Sequence, residues 1–220
     1  MLTASEQQTM EVLLVDDHPI VRVGFASLLG QLDRKMIIHE ADNEEQAIQV
    51  CIERSPDVAL VDLSLAGDLS LDLIKKMRSL RPKMPILVVS MHDERLYAER
   101  ALKAGARGYV MKHNAAKSIV QAVRTICDGH IWLSDAMRCI VLEKLTDRPS
   151  AANAHGLDTL SDRELEVFRL IGRGLKKSEI SQQLNIAAST IETYRVNIKR
   201  KLGIASGSAL YRLAFLHCQA

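Results

Sequence analysis

Five short, continuous apolar runs constrain the fold of this chain more than any other feature. They lie at residues 12–15, 36–38, 58–61, 86–89 and 109–111. The runs do not alternate with polar residues, which is typical of strands buried on both faces. Helical patterns separate them, at about 19–30, 43–54, 69–81, 94–104 and 115–127. This alternation predicts an α/β fold, a parallel sheet with helices on both faces.

The C-terminal part of the chain has a different pattern. Residues 130–145 contain a short strand-like piece, HIWLS, and a helical pattern. The stretch TDRPSAANAHG, residues 146–156, is rich in small residues and is typical of a linker. Only helical patterns follow, which predicts an all-α domain of four helices. The last of these, 206–217, has an apolar stripe of Leu210, Leu213, Ala214 and Leu216.

Composition and charge limit the class of protein. The content of 47% hydrophobic and 25% charged residues is that of a soluble globular protein. No apolar stretch approaches the roughly 20 residues of a membrane span, and the polar N-terminus does not resemble a signal peptide, so we expect a cytoplasmic protein with no membrane partner. From residue 156 onward, ten Lys/Arg oppose six Asp/Glu, whereas the preceding part is acidic. This asymmetry suggests two parts with different partners.

Polar side chains follow four of the five predicted strands. Asp16 and Asp17 follow the first, Asp62 the third, Ser90 the fourth and Lys112 the fifth. In an open parallel sheet, ligands bind beyond the carboxyl ends of the strands. Any one of these acids could be an ordinary turn residue, but the set together predicts a binding site at this edge.

The chemistry of the set indicates phosphoryl transfer. Three carboxylates placed together suit a hard cation such as Mg²⁺. A lysine and a hydroxyl beside them can stabilise the oxygens of a phosphoryl group, as Lys112 and Ser90 would. Asp62 is then the natural nucleophile, because carboxylates can form aspartyl phosphates. His18 and His92 flank the site and are interpreted as loop or helix-start residues rather than metal ligands.

Residues 11 to about 130 resemble the receiver domain of two-component response regulators. The resemblance implies that a histidine kinase transfers a phosphoryl group to Asp62. It implies that Asp17, Asp62 and the backbone carbonyl of Ser64 bind Mg²⁺ directly, with Asp16 acting mainly through water. It also implies a doubly wound, flavodoxin-like sheet with strand order 2-1-3-4-5.

The same resemblance assigns switch residues and shows two departures. Ser90 and Tyr109 match the positions that respond to phosphorylation. The loop after Asp62, LSLAGD, lacks a proline that such loops often carry. His113 stands where many receivers have a cis proline, so we expect the local loop to differ, because a non-proline residue adopts cis only at high cost.

The basic tail contains a helix–turn–helix pattern. Its third helix carries Arg195, Lys199, Arg200 and Lys201 against one acid, Glu192. Such a helix can enter the major groove with its basic groups on phosphates, although a solvated basic face alone would look the same.

Residues from about 160 to 216 resemble the LuxR/NarL-type DNA-binding domain, through LSDRELEVFRLIGRGLKKSEISQQL and STIETYRVNIKRKLG. The resemblance implies that Ser189 and Thr190 touch backbone phosphate. It implies base contacts by Glu192, Thr193 and Val196, and phosphate contacts by Arg195, Lys199 and Arg200. The last helix matches the element that pairs two such domains.

One residue of this helix departs from many relatives, which have lysine where this chain has Glu192. A carboxylate can accept a hydrogen bond from the amino group of cytosine but not bond the acceptors of guanine. We therefore expect a different preferred DNA sequence. Ile191 and Ile198 are predicted to be core residues.

The sequence therefore predicts a receiver domain at 10–130, a helical or flexible linker at 131–156 and a LuxR-type helix-turn-helix domain at 157–220. The hypothesis is a transcription factor whose phosphorylation at Asp62 controls dimerisation and DNA binding, and not an enzyme beyond its own phosphorylation and dephosphorylation. Two alternatives stay open. One is a metal-dependent phosphohydrolase with a basic tail, and the other is a receiver that binds DNA constitutively.

Overall fold

The computed structural model describes residues 9–32, 34–65, 68–145 and 156–218. The chain divides into two compact units, Met1–Leu142 and Glu143–Ala220. Most of the predicted linker stretch, residues 146–155, lies outside the described residues.

The first unit contains a five-stranded parallel sheet. Its strands are β1 (Met10–Val15), β2 (Met36–Ala41), β3 (Val58–Asp62), β6 (Ile86–Ser90) and β7 (Gly108–Met111). Their order is β2-β1-β3-β6-β7, and every adjacent pair is parallel. In the numbering of the five predicted strands this is 2-1-3-4-5, so the predicted doubly wound order is confirmed.

Four helices connect these strands, and a fifth follows the last strand. They are α1 (Pro19–Leu29), α2 (Glu44–Glu53), α3 (Leu71–Leu80), α4 (Glu94–Ala104) and α5 (Ala115–Cys127). On one face, Phe25 and Leu29 of α1 and Ile119 and Ile126 of α5 join the core beneath the central strands. Contacts of α3 with α2 and α4 form the other layer. The sheet is thus buried between helices, which explains why its central strands are continuous apolar runs.

Two features of this unit were not predicted. A small antiparallel hairpin, β4 (Ser64–Leu65) with β5 (Asp68–Leu69), follows directly after β3. It delays the start of α3 to Leu71, two residues after the predicted start. The strands β3 and β6 each extend one residue beyond the predicted apolar run, so Asp62 and Ser90 are the last residues of their strands.

The residues after α5 add to the same unit. Trp132 forms an isolated parallel bridge with Gly108 of β7, which agrees with the predicted strand-like piece. The helix α6 (Asp135–Leu145) follows.

The second unit is helical, as predicted. After a short 3-10 turn at Leu157–Thr159 it contains α7 (Asp162–Gly172), α8 (Lys177–Gln183), α9 (Ala188–Lys201) and α10 (Gly207–Cys218). Ser161 and Glu164 form the predicted capping box at the start of α7. The side chains packed between these helices are Leu165, Phe168, Ile171, Ile191, Ile198, Leu210 and Ala214.

The prediction that Leu216 belongs to the apolar stripe of α10 was wrong. Leu216 is 62% exposed, whereas Leu210 and Ala214 are fully buried. At 3.6 residues per turn, position 216 falls away from the face that carries 210 and 214, alongside the exposed Phe215. Across the whole described part of the chain, the helices are too short or too polar to cross a bilayer.

Candidate functional site

The strand register places the predicted site residues at one edge of the sheet. Val15 pairs with Val61, so Asp16 and Asp62 follow at the same level on neighbouring strands. Asp62 in turn lies opposite Val89, the residue before Ser90. Carboxylates from β1 and β3 therefore meet beside the hydroxyl from β6.

Lys112 links the two strands that carry these acids. Its Nζ donates to Oδ2 of Asp16 at 2.6 Å and to Oδ2 of Asp62 at 2.8 Å. Burial by itself lowers the pKa of Lys112, but the two carboxylates outweigh it and hold the pKa above its usual value. The lysine is thus a fixed positive charge between two buried acids.

Asp62, the last residue of β3, is buried at this edge, with 5% of its surface exposed. Burial raises the pKa of Asp62 above its usual value, and the hydrogen bond and charge of Lys112 oppose that rise. The backbone N–H of Ser64 also donates to Oδ1 of Asp62 at 3.2 Å. The carboxylate is therefore oriented by groups from two different loops.

Carboxylate oxygens at this edge are close enough to share a cation. One ligand atom from each of Asp16, Asp17, His18 and Asp62 lies within 4.8 Å of the others. Asp16 is buried and Asp17 half-buried, so the cluster faces both the protein and solvent. A donor set dominated by carboxylate oxygens fits a hard divalent cation such as Mg²⁺.

His18 occupies two roles at once. It is the N-cap residue of α1, as the interpretation of a helix-start residue anticipated. Its ring Nδ1 also lies 3.1 Å from Oδ1 of Asp16 and 2.8 Å from Oδ1 of Asp17. The imidazole thus sits against both acids of the pair.

The second candidate site is the outer surface of α9. Ile191 and Ile198 are fully buried, as predicted, and hold the helix to the unit. The predicted contact residues lie elsewhere on the helix. Those exposed are Ser189, Glu192, Thr193, Val196 and Arg200, and those half-buried are Thr190, Arg195 and Lys199.

Lys201, the last residue of α9, is exposed, but its ammonium group is hydrogen-bonded to other parts of the unit. Its Nζ donates to Oε2 of Glu164 at 2.6 Å and to the carbonyl of Thr159 at 3.0 Å. Burial opposes ionisation of Glu164, but the hydrogen bonds from Lys201 and Ser161 outweigh it and lower the pKa of Glu164. One basic residue of α9, Lys201, therefore stabilises the unit, whereas the others belong to the predicted contact surface.

Comparisons with known proteins find a family model for each of the two units. The family model described as response regulator receiver domain matches residues 12–124, and the model for bacterial regulatory proteins of the luxR family matches residues 158–214. The transcriptional activator protein ExaE of Pseudomonas putida is 33% identical over 205 residues, covering 93% of this chain and 95% of that protein.

The chain belongs to the LuxR-type response regulators.

Two further relatives agree in both length and architecture. The nitrate/nitrite response regulator protein homolog of Haemophilus influenzae is 32% identical and covers 95% of this chain and 98% of its own length. The structure of RcsB from Salmonella enterica serovar Typhimurium, bound to promoter rprA in the presence of the phosphomimetic BeF3⁻, has a TM-score of 0.71 at 26% identity. It covers 94% of this chain and 98% of that one. This response regulator is therefore a transcription factor with a receiver and a LuxR-type DNA-binding domain.

In this response regulator, Ser90 and Tyr109 both form hydrogen bonds with His92, in the loop after β6. The Oγ of the buried Ser90 accepts the N–H of His92 at 3.0 Å, and the hydroxyl of Tyr109 donates to the carbonyl of His92 at 2.8 Å. Tyr109 is 1% exposed, and its burial raises the pKa of the phenol above its usual value. His92 thus connects the two predicted switch residues.

Sequence reasoning missed Arg22 in α1. Its Nη1 donates to the carbonyl of Asp16 at 2.6 Å and its Nε to Oε2 of Glu40 at 2.6 Å. The pair with Glu40 and the contact with Asp16 fix the backbone at the end of β1. The sequence contains a signal, because Arg22 lies one helical turn after His18 and Glu40 stands just after the second predicted apolar run. The loop after Lys112 forms a 3-10 turn, Lys112–Asn114, where many receivers have proline.

Proposed function

We propose that Asp62 is the phosphoryl acceptor of this response regulator. The observation that carries the proposal is the double hydrogen bond from Lys112 to Asp16 and Asp62, which places a cation beside the buried carboxylate. Once Asp62 carries a phosphoryl group, the same ammonium group can bind one of its oxygens. Ser90, at the end of the neighbouring strand, would donate its hydroxyl to another oxygen.

The transfer step follows from these positions. An oxygen of ionised Asp62 attacks the phosphorus of a phosphohistidine on a histidine kinase. The new O–P bond forms as the N–P bond breaks, and the departing imidazole takes a proton from solvent. Lys112 holds Asp62 ionised and in place before the attack, and the N–H of Ser64 orients it.

The acidic cluster would hold the Mg²⁺ that supports this step. Asp17, Asp62 and the backbone carbonyl of Ser64 would be its direct ligands, and Asp16 would act mainly through water. When bound, the cation supplies charge neutralisation for the incoming phosphoryl oxygens. The proximity of the carboxylates and their partial burial support this assignment.

The alternative of a phosphohydrolase is not favoured by these observations. The family is one of regulators rather than classical enzymes. Hydrolases with an Asp nucleophile usually place a second Asp two residues later, and here those positions hold His18 and Ser64. We therefore propose no chemistry beyond the protein's own phosphorylation and dephosphorylation.

As a DNA-binding regulator, the protein is proposed to act in the cytoplasm.

For the second unit we propose that α9 is the recognition helix. Ser189 and Thr190 would contact backbone phosphate at its start. Glu192, Thr193 and Val196, which are exposed, would meet base edges. The cations Arg195, Lys199 and Arg200 would contact phosphates, since counterion release there supplies affinity.

The functional bounds follow as a receiver at 10–130, a linker at 131–156 and the DNA-binding domain at 157–220. Phosphorylation would favour a homodimer, and dimers would bind two half-sites. The exposed Tyr211, Phe215 and Leu216 of α10 offer an apolar surface for such pairing.

The acceptor assignment can be tested by incubating the protein with acetyl phosphate and Mg²⁺. We expect one alkali-labile phosphoryl group in the intact mass spectrum, none in Asp62→Asn, and none when EDTA replaces Mg²⁺. Asp57→Asn is a matched control, because Asp57 directly precedes the opposite end of β3, where its carboxylate accepts the N–H of Glu11. Undiminished phosphate in Asp62→Asn, or continuous turnover of varied phosphate esters, would contradict the proposal.

A further inference from the structure

The segment after α5 closes the outer edge of the sheet. Gly129, with a φ of +86°, adopts the left-handed conformation that turns the chain back toward β7. The N–H of Trp132 donates to the carbonyl of Arg107 at 3.0 Å, and the N–H of Tyr109 donates to the carbonyl of Trp132 at 3.1 Å. Because β7 is the last strand of the sheet, these bonds satisfy backbone groups that an edge strand would expose.

This pairing depends on a close approach at Gly108. A Cβ at this position would lie 2.8 Å from Cδ1 of Leu87 and 3.0 Å from both Cβ and the carbonyl oxygen of Trp132. The bare backbone of Gly108 therefore leaves room for Trp132 to lie directly against the strand.

A second attachment joins the same segment to α4. The hydroxyl of Ser134 donates to Oε1 of Glu94, in the first turn of α4, at 2.6 Å. The same Oγ accepts the N–H of Met137 at 3.1 Å and so caps the first turn of α6. Met137 is fully buried, so this turn is anchored in the first unit by packing as well.

Both attachments lead back to the switch residues. Tyr109 contacts Trp132 through its backbone and His92 through its hydroxyl. His92 in turn donates to Ser90 and belongs to the short loop that ends at Asp93, the N-cap of α4. Hydrogen bonds thus connect Ser90, beside the acceptor, with Trp132 by way of His92 and Tyr109, and the chain from His92 to Glu94 leads to the bond with Ser134.

We propose that residues 131–137, here called the latch, transmit the state of Ser90 and Tyr109 to α6, which precedes the DNA-binding domain in the chain. This inference rests on the proposed function, because Ser90 is taken to move toward a phosphoryl group on Asp62. That movement displaces the loop at His92, breaks the bond between Glu94 and Ser134, and frays the first turn of α6. The latch is therefore a two-state element whose populations phosphorylation shifts.

The test combines hydrogen exchange with DNA binding on the full chain. Addition of BeF3⁻ and Mg²⁺ to the wild type should speed exchange of the amides at 136–139 and tighten DNA binding by about fivefold or more. In Ser134→Ala these amides should exchange fast and DNA should bind tightly with or without BeF3⁻, so that most of the gain in affinity disappears. Phosphate incorporation on Asp62 should stay at the wild-type level.

Two control variants separate the latch from a general loss of stability. Ser118→Ala removes a hydroxyl that donates to the carbonyl of Asn114 one turn earlier in the chain, and it should leave the gain intact. Ser134→Thr keeps the hydroxyl and should retain most of the gain.

A second variant, Glu94→Ala, removes the other side of the same bond and should reproduce Ser134→Ala. The double variant should lose no more than either single one, because both remove one interaction. A full gain in affinity in Ser134→Ala or in Glu94→Ala overturns the latch. Absence of phosphate on Asp62 in the wild type would instead overturn the proposed function, so the two failures are distinguishable.

Discussion

Lys112 from the end of β7 and Asp62 from the end of β3 are joined by a hydrogen bond of 2.8 Å, although fifty residues separate them in the chain. The same Nζ also reaches Asp16. One buried ammonium group therefore balances two buried carboxylates, and both the stability and the chemistry of this edge depend on it.

The first prediction concerns the effect of Lys112 on the stability of the first unit. We expect Lys112→Met to lower the free energy of unfolding by about 3 kcal/mol, because removal of one partner leaves buried charges uncompensated. Mg²⁺ should recover part of the loss, since it neutralises the same acids. Urea unfolding followed by the fluorescence of Trp132, the single tryptophan, measures both effects.

The matched control is Lys75→Met, which breaks an exposed pair with Asp72. Such surface pairs contribute about 0–1 kcal/mol. Equal losses in the two variants, or no response of Lys112→Met to Mg²⁺, would argue against a shared role of the lysine and the cation.

A second prediction concerns the edge of the sheet. Gly108→Ala should lower the free energy of unfolding of the first unit by about 1–3 kcal/mol, because the new methyl group overlaps Leu87 and Trp132. Gly24→Ala in α1 is the control. Apart from its two chain neighbours and the nearby backbone of α1, no described atom lies within 4 Å of its Cβ position. Alanine is also the better helix former, so that variant should gain up to about 1 kcal/mol. The same urea titration separates the two, and stabilisation by Gly108→Ala would show that the edge is not closely packed.

A third prediction follows from the lowered pKa of Glu164. Because its folded pKa lies below the ordinary value of 4.5, its ionised form stabilises the fold above that value, and the contribution is lost as pH falls through the folded pKa. Glu164→Gln should therefore lower the free energy of unfolding at neutral pH by about 1–2 kcal/mol and change it little in strong acid.

Urea titrations followed by the NMR cross-peaks of α7 at several pH values measure this difference. The control is Glu192→Gln, whose carboxylate is exposed and lies 3.7 Å from Arg195. A Glu164→Gln difference that is constant across pH would show that its charge does not stabilise the unit.

The sequence predicted the sheet and its order because buried parallel strands require continuous apolar runs, and β1, β3 and β6 have them. It predicted Asp16, Asp62 and Lys112 as partners because strand ends converge at one edge. The hairpin β4–β5 was missed because its strands are only two residues long and lack a periodic pattern. The bond between Ser134 and Glu94 could not be predicted, since nothing local links residues forty apart.

A fourth prediction concerns the proposed phosphate contacts of α9. Lys199→Ala and Arg195→Ala should each weaken binding to all DNA sequences and reduce the slope of log affinity against log salt by about one. Lys117→Ala removes the same charge from an exposed position on α5 and should leave the slope unchanged. Fluorescence anisotropy over a range of salt concentrations gives the slopes, and an unchanged slope removes that residue from the contact surface.

We propose that phosphorylation of Asp62 controls DNA binding by this regulator. The most direct measurement compares the DNA affinity of wild type and Asp62→Asn, each with and without acetyl phosphate and Mg²⁺. We predict that acetyl phosphate tightens binding by the wild type by about fivefold or more and leaves Asp62→Asn unchanged. Equal affinity in all four samples would contradict the account and show that this regulator binds DNA constitutively.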